Sequence, residues 1–161
     1  MKLTTKGRYA VTAMVDLALH ADQGPISLSE ISERQGLSLS YLEQLFVKLR
    51  RSGLVKSSRG ARGGYSLASL ASSTSVADII IAVDEQVDVT NCSGKSVCQD
   101  GDTCLTHHLW DDLTFKIRNF LESISLQDLV NRKEIRWVSE RQDAKLQAAN
   151  DLSLIPLASS D

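Results

Sequence analysis

Between Ser27 and Leu67 the sequence places a set of local signals in one order, and few folds satisfy all of them. Ser27-Leu28-Ser29-Glu30 is a capping box, in which a hydroxyl and a carboxylate satisfy the free amides at a helix start. The helix it opens runs to about Gln35, with Leu28 and Ile31 facing inward. Gly36-Leu37-Ser38 is a tight turn, because glycine tolerates the left-handed conformation that stops a helix. Ser38 or Ser40 caps the next helix, which carries Leu42, Leu45, Phe46 and Leu49 on one side and ends at Gly53. Leu54-Val55-Lys56-Ser57 and Gly64-Tyr65-Ser66-Leu67 are two short strand candidates joined by the basic, glycine-rich Ser58-Arg59-Gly60-Ala61-Arg62-Gly63. Two short helices about a glycine turn, followed by a basic β-hairpin, predict a winged helix-turn-helix.

The flanks fit that frame. Apolar residues at helical spacing predict a first helix over roughly Lys6 to Asp22, closed by Gln23-Gly24-Pro25. Ser75 caps a short apolar helix through Val83, and Leu126 to Val130 begins another. From Leu105 to about Ser123, Leu109, Leu113, Ile117, Phe120 and Leu121 repeat at three or four and form one wide apolar stripe. The fold class expected is mainly α with a small β-hairpin wing, a winged helix-turn-helix plus a long dimerisation helix. The domain plan is a DNA-binding unit over 1–74, a loop and dimerisation helices over 75–141, and a flexible tail over 142–161, where the sequence turns small and polar.

The formal net charge is −2, but it is unevenly spread. Residues 1–65 hold ten Lys/Arg and five Asp/Glu, a balance of +5, and the remaining residues hold eight and fifteen, a balance of −7. A basic front and an acidic rear direct only the front toward a polyanion. No segment reaches the ~18–20 apolar residues of a membrane span, so no membrane partner is expected. Asp16 interrupts the apolar stretch near the start, which leaves it too short for a secretion signal. The cytoplasm is the expected location.

The second helix of such a motif lies in the major groove of double-stranded DNA with its N-terminal residues toward base edges. Ser38, Ser40, Tyr41, Glu43 and Gln44 occupy those turns. Gln bonds adenine bidentately, Glu accepts from the cytosine amino group, and Ser and Tyr serve base or phosphate. Lys48, Arg50 and Arg51 suit phosphates, and Arg59 and Arg62 at the wing tip suit a narrow minor groove.

Cys92, Cys98 and Cys104, at C-x5-C-x5-C spacing, are the only cysteines, and His107 follows. Buried structural cysteines are scattered among apolar neighbours, whereas these lie among Ser93, Gly94, Lys95, Asp100 and Gly101. Three thiolates and one imidazole suit an iron–sulfur cluster or Zn²⁺, and redox-active thiols are a further reading. His107 is preferred to its neighbour His108, because a spacing of three from Cys104 puts both on one face of a first helical turn. No base-plus-orienter arrangement for a cysteine enzyme is visible, so the chain is not expected to be an enzyme.

Three segments together resemble one family: MKLTTKGRYAVTAMVDLAL, SLSEISERQGLSLSYLEQLFVKLRRSGLVKSSRGARGGYSL and CSGKSVCQDGDTCLTHHLW. They are similar to the bacterial iron–sulfur cluster regulators of the IscR type, from Met1 to about Val138. The resemblance implies a homodimeric transcription factor with one [2Fe–2S] cluster per subunit, held by Cys92, Cys98, Cys104 and His107. It implies the iron–sulfur assembly machinery as cluster donor. It further implies that the loaded form represses cluster-assembly genes, while the cluster-free form binds a second class of DNA sites. Glu43 matches the residue discriminating those classes, and Tyr9, Ser40, Gln44 and Arg59 match DNA-contacting positions. Two departures from the family pattern stand out, Ala61-Arg62 in the wing and His108 beside His107.

Overall fold

The computed structural model describes residues 4–90 and 92–153. Among them the order is α1 (Thr5–Leu19), α2 (Leu28–Gln35), α3 (Leu39–Arg51), β1 (Val55–Ser58), β2 (Gly64–Leu67), α4 (Val76–Ala82), α5 (His107–Glu122), α6 (Leu126–Val130) and α7 (Lys133–Ser153). The fold is mainly helical with one antiparallel hairpin, in the register Val55 with Leu67 through Ser58 with Gly64, as the ordered signals predicted.

Most of the local signals act as read, although Ser38 takes the N-cap position of α3 without a side-chain capping hydrogen bond, its hydroxyl meeting that of Ser40. Ser27 accepts from the Glu30 amide while the Glu30 carboxylate accepts from the Ser27 amide. Gly36 closes α2 in the left-handed region at φ 64°. The same reciprocal cap recurs at Ser75–Asp78 and at Ser125–Asp128. These two helix starts are bridged to one another, with the Val76 amide donating to the Ile124 carbonyl and the Leu126 amide to that of Thr74.

One hydrophobic core holds the helix-turn-helix together. Ala10, Met14 and Leu17 of α1, Ile31 of α2, and Leu42, Leu45, Phe46 and Leu49 of α3 are fully buried with Val55, Ile79, Val83 and Leu126. The α3 residues recur at three and four, so one face of the helix is committed to this core and the opposite face is left outward. The wing is fastened to the same body. Ile26 and Tyr65 exchange backbone hydrogen bonds at 2.9 and 2.7 Å, which adds a third, one-residue strand to the hairpin.

A buried polar cluster ties α1 and α2 to α7. Asp16, 1% exposed, accepts three hydrogen bonds from the Arg34 guanidinium, at 2.8, 3.0 and 3.3 Å, and one from the Gln35 amide at 2.7 Å. His20 donates through Nδ1 to the Asp16 carbonyl at 2.8 Å and through Nε2 to Asp143 of α7 at 3.1 Å. Gln142 exchanges amide hydrogen bonds with Gln35. Burial acts to raise the Asp16 carboxyl, but hydrogen bonds from His20, Arg34 and Gln35 more than offset it and hold it below the usual carboxylate range. The same bond from Asp16, reinforced by Asp143, pushes His20 up from 6.5 to about 9 against the opposing effects of burial and Arg34.

Two expectations need adjusting. The first helix stops at Leu19 rather than Asp22, because His20 turns inward to Asp16 and Asp143, and a 3-10 turn follows over Ala21–Gln23. Residues 142–153 of the expected flexible tail continue α7 to Ser153. The small and polar composition of this stretch suggests a loop, yet Ala144, Lys145, Leu146, Gln147, Ala148 and Ala149 are strong helix formers, and Gln142 and Asp143 dock the helix. Residues 154–161 of that tail lie outside the described residues.

Candidate nucleic-acid interface and metal centre

With Leu42, Leu45, Phe46 and Leu49 turned inward, the outward ridge of α3 is Ser40, Glu43, Gln44, Val47 and Arg51, all exposed. Of the residues expected to read bases, Ser40, Glu43 and Gln44 thus share one face. Ser38 and Ser40 join hydroxyls at 3.0 Å at the head of the helix. Tyr41 lies at the edge of the ridge, half-buried, in an edge-to-face contact with Tyr9 of α1 at 5.9 Å, so these two expected contact residues form one aromatic corner. Arg59 and Arg62 are exposed on the wing tip, and Arg50 reaches Ser57 of β1 at 3.5 Å.

Lys48 stands apart from this ridge. Its ammonium is 2.8 Å from the Asp84 carboxylate, and Lys6 of α1 donates to the Asp84 carbonyl at 2.9 Å. Glu85 accepts from the Thr4 amide at the start of α1. Asp84 and Glu85 directly follow α4 and precede the cysteine loop. The loop is therefore anchored at its entry to both α1 and α3, a linkage that no local sequence signal reveals.

The cysteine loop closes upon the first residue of α5. His107 is 3% exposed. Its Nδ1 is 3.2 Å from Cys98 Sγ and 3.5 Å from Cys92 Sγ, and the two sulfurs are 3.3 Å apart. One ligand atom from each of these residues fits within a 4.8 Å group. Cys104 is not part of that tight triad; it joins Cys98 and His107 in lining a 190 Å³ recess with Thr90, Gln99, Thr106 and Trp110. The three thiols are free and half-buried. His108 stacks edge-to-face on His107 at 5.6 Å and lies outside the ligand group.

The loop backbone is shaped around sulfur. Ser93, Ser96 and Asp100 are non-glycine residues with positive φ, beside Gly94 and Gly101. Thr90 accepts from the Gly94 amide at 2.8 Å. Removal from water acts to raise the Cys92 thiol, but donors from Cys98, the Ser96 and Gly94 amides and Thr90 pull it from 9.0 down to about 6. The Thr106 amide lowers Cys104 in the same way. Cys98 receives one lowering amide bond, from Cys104, yet its two sulfur neighbours push it up. The site thus favours the thiolate form at Cys92 and Cys104 and sets an imidazole nitrogen beside sulfur, the donor set that a thiophilic metal or cluster uses. Ser96 and Trp110 are parts of this site that sequence reasoning missed, since a serine in a polar loop and a tryptophan on an amphipathic helix carry no local signal.

On α5, the expected apolar stripe is largely uncovered. Leu109, Leu113 and Phe120 are exposed, as are Trp110 and Phe115 beside them. No helix among the described residues is long and apolar enough to cross a membrane.

The chain matches the model of the Rrf2 family, described as iron-dependent transcriptional regulators, over residues 3–132. It is 61% identical to the HTH-type transcriptional regulator IscR of Photorhabdus laumondii over 143 residues, which cover 89% of this chain and 87% of that one. It is 56% identical to the IscR of Vibrio campbellii over 153 residues, covering 95% and 91%. Among solved structures, T. potens IscR superposes with a TM-score of 0.67 at 43% identity, covering 81% of this chain and 86% of that one. CymR, the global cysteine regulator of B. subtilis, superposes with a TM-score of 0.71 at 36% identity, covering 81% and 96%.

Proposed function

The chain belongs to the Rrf2 family of iron-dependent transcriptional regulators, and from that premise we propose that it senses iron–sulfur cluster supply and reports it through DNA binding. It is a DNA-binding regulator and not an enzyme. The observation that carries the cluster reading is the buried His107 ring, whose Nδ1 faces the sulfurs of Cys92 and Cys98 within 3.5 Å.

Cys92, Cys98, Cys104 and His107 would hold one [2Fe–2S] cluster per subunit. When bound, the cluster supplies a cross-link between the loop and the start of α5. The chain's own residues do the rest. The amides of Ser96, Gly94 and Thr106 stabilise thiolate sulfur. Asp84 and Glu85 transmit the position of the loop to Lys48 and to the first turn of α1. Ser40, Glu43 and Gln44 read base edges, with Ser38, Tyr9, Tyr41 and Arg50 around them and Arg59 and Arg62 in the minor groove. Glu43 sets the preference between two site classes, because a carboxylate facing the wrong base costs ~1–3 kcal/mol.

The exposed stripe of α5 supports a homodimer as part of this proposal, in which the stripe pairs with its two-fold mate and fixes the spacing of the recognition helices. Residues 1–74 form the DNA-reading unit and 75–141 the sensing and pairing unit. The assembly machinery supplies the cluster, in the cytoplasm.

Anaerobic reconstitution followed by DNA binding tests the reading. The expected product is a brown protein with visible absorbance, and its preference between operator classes differs from that of the cluster-free form. Replacing His107 by Ala should bleach or alter that spectrum. A colourless protein holding stoichiometric zinc would overturn it.

A further inference from the structure

Ser96 has a backbone that its side chain does not favour. Its φ is +57°, in the left-handed region where glycine is unstrained and a non-glycine residue is strained. In that conformation Ser96 reaches two of the ligand residues at once. Its amide donates toward the Cys92 sulfur, and its hydroxyl oxygen lies 3.0 Å from His107 Nε2. Its carbonyl accepts from the Thr103 hydroxyl at 3.2 Å, which fixes the peptide on its other side.

The chemistry of the imidazole ring makes this contact decisive. A neutral imidazole has one N–H and one lone pair. With Nδ1 turned to the sulfurs of Cys92 and Cys98, the lone pair must lie at Nδ1 for ligation and the proton must lie at Nε2. The Ser96 oxygen is the acceptor placed to receive that proton. Outer hydrogen bonds of this kind fix tautomer and ring orientation and raise the basicity of the ligating nitrogen.

We propose that Ser96 is a positioning residue of the metal centre: its hydroxyl holds the Nε2 proton of His107 so that the ring ligates through Nδ1. The proposal rests on the cluster reading above. It accounts for a serine standing where a glycine would fold more easily.

The test exploits that opposition. Ser96→Gly relieves the backbone and deletes the hydroxyl. Its metal-free form is expected to melt at or above the wild-type temperature, while the reconstituted protein loses its visible absorbance to a chelator about 10–100-fold faster. Ser96→Asn tolerates positive φ and keeps an oxygen acceptor, so it should retain the cluster longer than Ser96→Gly. Wild-type loss rates in Ser96→Gly, or equally fast loss in the Gly and Asn variants, would overturn the role of Ser96 alone. A wild-type chain that takes up no cluster would overturn this proposal together with the reading it rests on.

Discussion

The buried cluster at the base of the helix-turn-helix gives a stability change with a defined pH window. His20 is 4% exposed and bonded to Asp16 and Asp143. The Asp16 hydrogen bond is the main cause of its rise from 6.5 to about 9. A group whose folded pKa is raised contributes stability that is fully present below the unfolded pKa and is lost as pH rises through the folded one. For His20 the contribution is complete below pH 6.5 and gone above about 9. A rise of that size, at about 1.4 kcal/mol per unit, corresponds to about 3 kcal/mol. The assay is urea unfolding of the metal-free wild type and of His20→Gln, at about pH 6 and about pH 9.5 and at one protomer concentration. Other groups titrate over this range, but they do so in both proteins and cancel in the difference. The wild type should exceed the variant by about 3 kcal/mol more at the lower pH than at the higher. A gap that stays constant with pH would refute the argument, because His20 would then act by shape and not by charge.

Three further outcomes follow from the geometry. At Gly64 a methyl group would overlap the backbone carbonyl of Ile26, which cannot retreat without breaking the Ile26–Tyr65 pair; Gly64→Ala should cost about 1–3 kcal/mol, read as a lowered melting temperature and a weakened wing contribution to DNA affinity. Asp84→Asn releases Lys48, so DNA affinity at low salt should rise and the slope of log K against log salt should steepen by about one phosphate contact, measured by fluorescence anisotropy; an unchanged slope would show that Lys48 does not reach phosphate even when freed. Leu109→Glu or Phe120→Glu places a charge on the exposed face of α5 and should move the sedimentation coefficient to that of a single protomer, with loss of binding to two-fold operators.

Much of the DNA-reading unit was legible because its signals are local. Ser27 and Glu30 satisfy each other within one helical turn, Gly36 needs only its own φ, and the spacing of Leu42, Leu45, Phe46 and Leu49 selects the outward ridge. The thiol-rich loop was legible for a different reason, since its composition contradicts that of a core. The extent of α7 was not, because small helix-forming residues resemble a tail until a docking surface is present. Lys48 was legible only as a cation; its partner lies on a distant loop.

The sequence by itself determined the order and type of the elements, the face that α3 turns outward, and a cysteine-rich polar loop followed by His107. These depend on interactions within a few residues, or on composition alone. Only the tertiary structure decided that Cys104 stands outside the closest triad and that Ser96 stands behind the imidazole of His107. It alone coupled the winged helix to the loop through Asp84 and to the last helix through His20. Each of these pairs residues remote in sequence, whose meeting depends on how whole helices pack and not on any pattern within them.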